Sequence, residues 1–212
     1  MSGPALLAPA DPRLDAAVAD AGRVLVDLGC GDGRHTARWA EREPDALVVG
    51  LDAETTRLDR AMTAARRKRL HRLLFVTAAA EDPPAALLGR ADVIAVIMPW
   101  GSLLDGLLGG DERVLASVLA LGAPGAVLDA VVNVRPWDAP SSVDRKLAAT
   151  PEPTQDHLAG LAERYAELGW RLDPPAWLTD AEARALGSTW ASRVVSARAS
   201  RLLRLRATTG TA

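Results

Sequence analysis

Glycines and acidic residues concentrate at the end of the first apolar segment. Residues 23–28 (RVLVDL) have the β-branched, apolar character of a buried strand, and Asp27, Gly29, Gly31 and Gly33 lie in the run DLGCGDG at its end. Glycines at alternate positions let the backbone turn tightly and approach a ligand where a Cβ atom would collide. The run has neither the Gly-x-Gly-x-x-Gly spacing of dinucleotide folds nor the Gly-Lys-Ser/Thr end of a triphosphate loop, so we expect a different ligand.

A second acidic residue, Asp52, closes the next apolar segment, residues 46–51. At the end of a strand its carboxylate can accept hydrogen bonds from both hydroxyls of a ribose, while Asp27 brings negative charge near a cationic ligand. S-adenosylmethionine (SAM), a nucleoside with a sulfonium group, combines these two features. The loop and Asp52 together therefore predict SAM as the cofactor.

Sheet geometry adds further residues to the predicted cofactor site, because ligands of parallel sheets lie beyond the carboxyl ends of the strands. Ala80 and Glu81 follow the third strand-like segment, residues 73–77, and are expected to border the adenine of the cofactor. His35 falls in the first turn of the first helix, where it can face the amino-acid end of the cofactor. The alternative for His35 is an ordinary exposed helix histidine.

Two tryptophans mark a candidate acceptor site. The fourth strand-like segment, residues 91–98, runs into the corner Ile97-Met98-Pro99-Trp100-Gly101-Ser102, which offers an indole and no charged group. Trp190 lies in the run Ser188-Thr189-Trp190-Ala191-Ser192-Arg193, just before the last predicted strand. Because that strand should lie near the fourth, we expect the two indoles to meet over the methyl donor. The alternative is that both are core residues.

Strand-like and helix-like segments alternate along the chain. Predicted helices cover residues 33–43, 54–67, 103–121 with a break at 109–110, 155–168 and 179–186, and the remaining strands cover 126–134, 170–172 and 201–206. This alternation indicates βαβ units. With the predicted cofactor it indicates an α/β, Rossmann-like class I SAM-dependent methyltransferase fold, with a seven-stranded, mostly parallel sheet and helices on both faces. Residues 1–22 are predicted to be an N-terminal extension and 23–212 a single domain with a proline-rich connecting loop at 135–154.

Composition restricts the class of protein. The 212 residues are 49% hydrophobic and 25% charged, which suits one packed domain and not a disordered chain. A single cysteine, Cys30, excludes a disulfide framework, and three scattered histidines give no reason to expect a metal. The longest uncharged stretch, residues 114–128, is short and contains Pro124-Gly125, and the N-terminus lacks the basic flank of a secretory signal. We therefore expect a cytoplasmic protein without a membrane partner.

Positive charge is concentrated in two segments although the net charge is −2. Residues 60–72 include six basic and no acidic residues, and six arginines follow Glu182 without any acidic residue. Such segments can present a local field to a polyanion in a protein of acidic pI. The alternative is that they are solvated helix ends.

The two tryptophan runs, Met-Pro-Trp-Gly-Ser-Leu-Leu and Ser-x-Trp-x-x-Arg with a further arginine five residues on, resemble those of a known family. They are similar to the aminoglycoside-resistance 16S ribosomal RNA methyltransferases of the kanamycin–apramycin type, which methylate N1 of adenine 1408 in the decoding site. The resemblance extends from residue 23 to residue 211 and includes residues 151–154 and 164–170. Family members usually begin with a short basic β-hairpin, whereas residues 1–22 here contain one basic residue, Arg13.

The resemblance implies a role for each matching residue. Trp100 and Trp190 would enclose the flipped adenine with Ser188 beside it, and the partner would be 16S rRNA in the 30S subunit, with no DNA and a monomeric enzyme. The implied RNA-binding residues are Arg66, Arg67, Lys68, Arg69, Arg193 and Arg198. The implied cofactor pocket comprises Gly29, Asp52, Ala80, Glu81, Ile97, Met98, Pro99, Trp100, Gly101, Ser102, Ser188, Thr189 and Trp190.

The chemistry implied by the resemblance needs no general base. N1 of neutral adenine already has a lone pair, so the enzyme has to hold N1, the methyl group and sulfur in line. Two other functions stay open from the residues alone. One is a methyltransferase acting on tRNA or a small molecule. The other is a non-catalytic RNA-binding protein that keeps the cofactor pocket only for structure.

Overall fold

The computed structural model describes residues 3–134, 151–186 and 202–210. Its strands belong to one sheet. They are β1 (Ala5–Leu7), β2 (Val24–Leu28), β3 (Leu47–Asp52), β4 (Leu73–Thr77), β5 (Ala91–Ile97), β6 (Gly122–Asn133), β7 (Trp170–Leu172), β8 (Ala176–Trp177) and β9 (Leu202–Thr209).

The strand order is β1-β4-β3-β2-β5-β6-β9-β7, with β8 pairing with β9. The pairings from β1 to β6 are parallel, whereas β9 runs antiparallel to β6, β7 and β8. The predicted α/β fold with a mostly parallel sheet is therefore confirmed. The described residues form nine strands where seven were predicted, because β1 and the two-residue β8 were not recognised as strands.

Helices connect the strands as βαβ units require. They are α1 (Pro12–Ala19), α2 (Arg34–Arg42), α3 (Asp59–Arg67), a short 3-10 helix (Ala85–Leu87), α4 (Ser102–Leu107), α5 (Glu112–Leu119), α6 (Gln155–Glu167) and α7 (Asp180–Ala185). The break predicted at Gly109-Gly110 separates α4 from α5. Among the described residues, no helix is both long and apolar enough to cross a membrane.

The helix predicted from residue 54 begins only at Asp59. Side chains form the preceding turn instead: the N–H of Glu54 donates to Asp52 Oδ1 at 2.8 Å, and the N–H of Thr56 donates to Glu54 Oε1 at 3.0 Å. Acidic side chains that bind nearby backbone amides compete with helix formation in this way.

The N-terminal residues are part of the sheet and its core. β1 extends the sheet by pairing with β4, and α1 begins at Pro12 with Asp11 as its N-cap. Leu7, Leu14 and Val18 lie in the same buried cluster as side chains of β2 and β3. The residues of β1 and α1, on the N-terminal side of the boundary predicted at residue 23, therefore pack with the sheet and its core.

Helices cover both faces of the sheet. Side chains of α1, α4, α5 and α6 belong to one buried cluster, and those of α2 and α3 belong to a second. Alternate residues of β2 divide between the clusters, with Val24 and Val26 in the first and Leu25 in the second, as the two-residue period of a strand requires. Because the strands from β1 to β6 are parallel, their carboxyl ends lie at one edge of the sheet.

Candidate functional site

A cavity of about 340 Å³ lies at the carboxyl ends of β2, β3 and β5. It brings together twelve of the predicted site residues: Asp27, Gly29, Gly31, His35, Asp52, Ala80, Glu81, Ile97, Met98, Pro99, Trp100 and Ser102. The elements that bear them are far apart in sequence, and the parallel register of the strands is what aligns their ends.

The loop after β2 is hydrogen-bonded to the end of β3. The N–H groups of Gly29 and Cys30 both donate to the carbonyl of Leu51, at 2.8 and 3.0 Å, and the N–H of Gly31 donates to Asp52 Oδ2 at 2.7 Å. A carboxylate oxygen has two lone pairs, so Asp52 keeps capacity for further hydrogen bonds on the cavity side. The loop and Asp52 act as one preformed unit.

The glycines of the loop serve two different purposes. Gly29 and Gly31 have φ of +72° and +56°, and a Cβ atom on Gly31 would meet nothing within 4 Å, so open space lies beside it. Gly33 also has a positive φ, but a Cβ atom there would lie 2.9 Å from Ala61 Cβ and from Leu58 Cδ2. Gly33 is absent from the cavity lining, so the structure places this predicted cofactor residue in the packing between α2 and α3 instead.

Asp27 is buried at the base of the cavity and is 1% exposed. Its Oδ2 accepts a hydrogen bond from Thr36 Oγ1 at 2.5 Å and lies 3.2 Å from His35 Nδ1. The His35 side chain is 13% exposed and its ring lies 5.6 Å from that of Trp39. His35 therefore faces the cavity and Asp27, and the alternative of an ordinary exposed histidine does not describe it.

The cavity has a negative electrostatic character. Asp27, Asp32, Asp52 and Glu81 line it, with Arg57 as a basic residue at its wall. Burial raises the pKa of the Cys30 thiol well above its usual range, and the charges of Asp27 and Asp52 raise it further. Burial opposes any charged group, whereas the negative charges of Asp27 and Asp52 oppose a thiolate and favour a cation, which matches the charge of a sulfonium group.

The corner after β5 has a strained backbone and presents an indole. Met98 has a φ of +61°, uncommon for a residue with a side chain, and its N–H donates to the carbonyl of Val131 at 2.8 Å. The Met98 side chain packs into a cluster with Val131 and Leu202, while Trp100 remains 46% exposed beside the cavity. Backbone strain of this kind is concentrated at functional sites. Trp100 is thus not a core residue.

Comparisons with known proteins identify the family. A family model described as NpmA: 16S rRNA (adenine(1408)-N(1))-methyltransferase matches residues 1–209. The chain belongs to this family. It is 38% identical over 181 residues to the 16S rRNA (adenine(1408)-N(1))-methyltransferase of Streptoalloteichus hindustanus, covering 82% of this chain and 81% of that protein.

Solved structures agree with this assignment. The methyltransferase has a TM-score of 0.82 to the crystal structure of the 16S rRNA methyltransferase KamB, at 33% identity and over 95% of this chain and 94% of that one. It has a TM-score of 0.80 to a variant of the 16S rRNA (adenine(1408)-N(1))-methyltransferase from Catenulisporales acidiphilia with the cosubstrate SAM, at 35% identity and over 96% and 92% of the two chains.

The basic segment of the methyltransferase lies at the end of α3. The side chains of Arg66, Arg67, Lys68 and Arg69 are exposed, and Lys68 Nζ lies 2.6 Å from Glu41 Oε1. Arg69 has a φ of +55° and ends the helix in the left-handed conformation. These residues form a basic surface of the kind that a polyanion contacts.

Several predicted site residues have other placements. Gly101 is absent from the cavity lining, and its φ of +61° and ψ of −138° show instead that it forms the turn into α4. Ser188, Thr189, Trp190, Arg193 and Arg198 lie outside the described residues, as does most of the predicted 135–154 loop. The contact between the two indoles therefore remains a prediction.

Sequence reasoning did not assign some of the cavity lining. These residues are Leu28, Cys30, Asp32, Ala53, Arg57, Ala78, Ala79 and Leu103. Most of them directly adjoin predicted residues, so extending each predicted strand end by one or two positions would have found them. Arg57 carries no such signal, because it reaches the cavity only through the turn that delays the start of α3.

Proposed function

We propose that this methyltransferase transfers the methyl group of SAM to N1 of adenine 1408 in 16S rRNA within the assembled 30S subunit, and thereby protects ribosomes from aminoglycosides. One observation supports this acceptor above others: an exposed indole, Trp100, adjoins a negatively charged cavity built from the glycine loop and Asp52. Because the substrate is ribosomal, we place the enzyme in the cytoplasm, where it would act as a monomer.

The residues present fit SAM. Asp52 retains acceptor capacity for the ribose hydroxyls, Gly31 leaves open space for close approach, and Ala80 and Glu81 line the cavity, where they would border the adenine. Asp27 supplies the buried negative charge, and His35 lies beside it, where it would face the amino-acid end of the cofactor. When bound, SAM would supply an electrophilic methyl group on its sulfonium.

The protein's contribution to the reaction is alignment. The N1 lone pair of neutral adenine needs no proton removed, which suits a corner without a charged side chain at Trp100. Correct alignment can contribute roughly 7–11 kcal/mol of barrier reduction at best. We propose that the adenine stacks between Trp100 and Trp190, with Ser188 beside it. Extruding a base costs a few kcal/mol, and stacking returns about 1–3 kcal/mol per aromatic contact, so two indoles would offset the extrusion.

Recognition of the RNA would depend mainly on phosphate contacts. The exposed residues Arg66, Arg67, Lys68 and Arg69 offer a basic surface. We propose that this surface binds the rRNA backbone and that Arg193 and Arg198 hold it near the target base. Phosphate contacts fix register and orientation without reading the base sequence.

Primer extension on methylated ribosomes tests the proposal. Purified protein and SAM are incubated with 30S subunits, with protein-free 16S rRNA and with tRNA in parallel. N1 methylation blocks base pairing, so reverse transcriptase should stop next to adenine 1408 only in the 30S reaction. A Trp100→Ala variant should give no stop while still binding SAM. Methylation of tRNA without the 30S stop would overturn the proposal.

A further inference from the structure

Helix α6 donates three side-chain hydrogen bonds to consecutive carbonyls at the carboxyl end of α4. Tyr165 Oη donates to the carbonyl of Leu107 at 3.0 Å, His157 Nε2 to that of Leu108 at 2.6 Å, and Arg164 Nη1 to that of Gly109. We call this set the α4–α6 contact. Arg164 and Tyr165 belong to the segment 164–170, which resembles the family in sequence but contributes no residue to the cofactor or acceptor site.

The α4–α6 contact supplies hydrogen-bond donors to the carbonyl groups at the carboxyl end of α4. The last carbonyls of a helix have no partner within it, and leaving them unpaired in a buried place is unfavourable. Tyr165 is fully buried, so water cannot replace its hydroxyl. Positions 157 and 164 are two turns apart on one side of α6, and position 165 is about 100° from position 164, so all three fall within about a third of the helix circumference. A cationic Arg164 also suits the negative end of the α4 dipole.

Glycines allow the two segments to approach this closely. A Cβ atom on Gly109 would lie 2.9 Å from Arg164 Cδ and 3.0 Å from Leu161 Cδ1, and the φ of Gly109 is +74°. At Gly110 a Cβ atom would lie 2.8 Å from Pro151 Cδ. The break between α4 and α5 therefore packs against Leu161 and Arg164 of α6 and against Pro151, which precedes that helix.

The other end of α4 leads directly to the acceptor corner. The carbonyl of Gly101 accepts the first helical hydrogen bond, from the N–H of Asp105 at 3.0 Å, so Trp100 adjoins the helix start. Leu103 of α4 lines the cavity and lies 3.1 Å from the place of a Cβ atom on Gly29. Because α4 has six residues, it is roughly 9 Å long, and a tilt at one end moves the other.

We propose that Tyr165, His157 and Arg164 are positioning residues for methyl transfer, which hold Trp100 in register with the cofactor site by fixing the carboxyl end of α4. The proposal rests on the proposed function of Trp100 as the stacking partner of the target base. None of the three side chains lines the cavity, so they act through α4 and not on the substrate.

Single-turnover methylation of 30S subunits at saturating SAM tests this role in the full-length protein. Tyr165→Phe keeps the ring and removes only the hydroxyl, and we expect the rate constant to fall about tenfold, because small misplacements cost this much or more. The Kd of SAM, measured by calorimetry, should change less than about twofold, because the glycine loop and Asp52 are held by hydrogen bonds between the ends of β2 and β3 and not by α4.

Conservative and matched variants separate positioning from general destabilisation. Arg164→Lys keeps a donor and should retain most of the activity, whereas Arg164→Met should lower the single-turnover rate as Tyr165→Phe does. Arg90→Met is the control, because Arg90 Nη2 donates to the carbonyl of Val18 at the end of α1 at 3.1 Å, far from the cavity. It should lower the Tm and leave the rate unchanged at a temperature where the protein is folded.

Two results would overturn the positioning role: an unchanged single-turnover rate in Tyr165→Phe, or equal rate losses in Arg164→Met and Arg90→Met. Both are read against the wild-type 30S reaction, so they differ from a failure of the proposed function. If the wild type itself leaves 30S subunits unmethylated, the proposed function fails before any variant is compared.

Discussion

The N–H of Gly31 donates to Asp52 Oδ2 at 2.7 Å, which joins the loop after β2 to the end of the neighbouring strand β3. Asp52 Oδ1 also accepts the N–H of Glu54 at 2.8 Å. The carboxylate is thus held in place by backbone donors on both sides before any ligand arrives. Preorganisation of this kind lowers the cost of binding because little has to be ordered.

Asp52→Asn should weaken SAM binding. Hydrogen bonds to a charged group are worth about 1.5–3 kcal/mol, so we expect the Kd to rise by roughly one to two orders of magnitude. Isothermal titration calorimetry measures this directly. Asp45→Asn, an exposed carboxylate before β3, is the matched control and should leave the Kd unchanged. An unchanged Kd in Asp52→Asn would contradict a role of Asp52 in binding SAM.

Gly33→Ala should destabilise the fold. Its φ of +71° is unfavourable for alanine, and the new methyl group would lie 2.9 Å from Ala61 Cβ and 3.0 Å from Phe75 Cε1. Overpacking typically costs about 1–3 kcal/mol, and the backbone conformation adds about 1–2 kcal/mol. Urea unfolding measures the loss. Gly22→Ala is the control, since a Cβ atom there meets nothing within 4 Å; equal effects of the two variants would contradict the packing role.

Features that depend on the local pattern of residue types could be predicted from the sequence. The strands from β2 to β5, the glycine loop and Asp52 could be predicted because buried parallel strands are continuous apolar runs and their carboxyl ends must meet. Gly33 resembles Gly29 and Gly31 in sequence, and only its contacts with α3 separate it from the cofactor site.

Features that depend on distant partners could not be predicted. β1 consists of three residues that become a strand only by pairing with β4. The role of Tyr165 requires knowing that α6 lies against α4, which no spacing along the chain specifies. Trp100 is exposed two residues after Met98, whose positive φ is an unusual backbone conformation that the residue type does not predict.

The Cys30 thiol should resist alkylation in the folded protein. Burial raises its pKa well above the usual range, and the thiolate is the reactive form, so labelling by iodoacetamide at pH 8 should be at least about tenfold slower than in urea. Rapid labelling of the folded protein would contradict the burial of Cys30.

The raised pKa of Cys30 also links stability to pH. A raised folded-state pKa favours the folded protein below the unfolded thiol's pKa of about 8.5, and this contribution is lost as pH rises through the folded value. The free energy of unfolding in urea should therefore fall above about pH 8.5. Cys30→Ala removes the titrating group, and its decline over the same pH range should be smaller.

Trp100→Phe and Trp100→Ala should form a graded series. A phenyl ring keeps part of the stacking surface, whereas alanine loses about 1–3 kcal/mol of stacking and leaves only Trp190 to offset the base extrusion. We expect reduced methylation of 30S subunits with phenylalanine and none detectable with alanine. Because Trp100 is 46% exposed, both variants should keep the wild-type Tm within a few degrees. Wild-type turnover in Trp100→Ala would exclude stacking as the means of holding the base.

Arg67→Glu should weaken 30S binding and lower its salt dependence. Each phosphate contact adds about 0.7–0.9 to the slope of log K against log salt concentration, so losing one or two contacts should reduce that slope by about 1 to 2. Filter binding from 50 to 200 mM salt measures it. Arg113→Glu on α5 makes the same charge change at a side chain that is 93% exposed, and it should leave the slope unaltered. If both variants weaken binding equally, the effect is one of net charge and the end of α3 is not the docking surface.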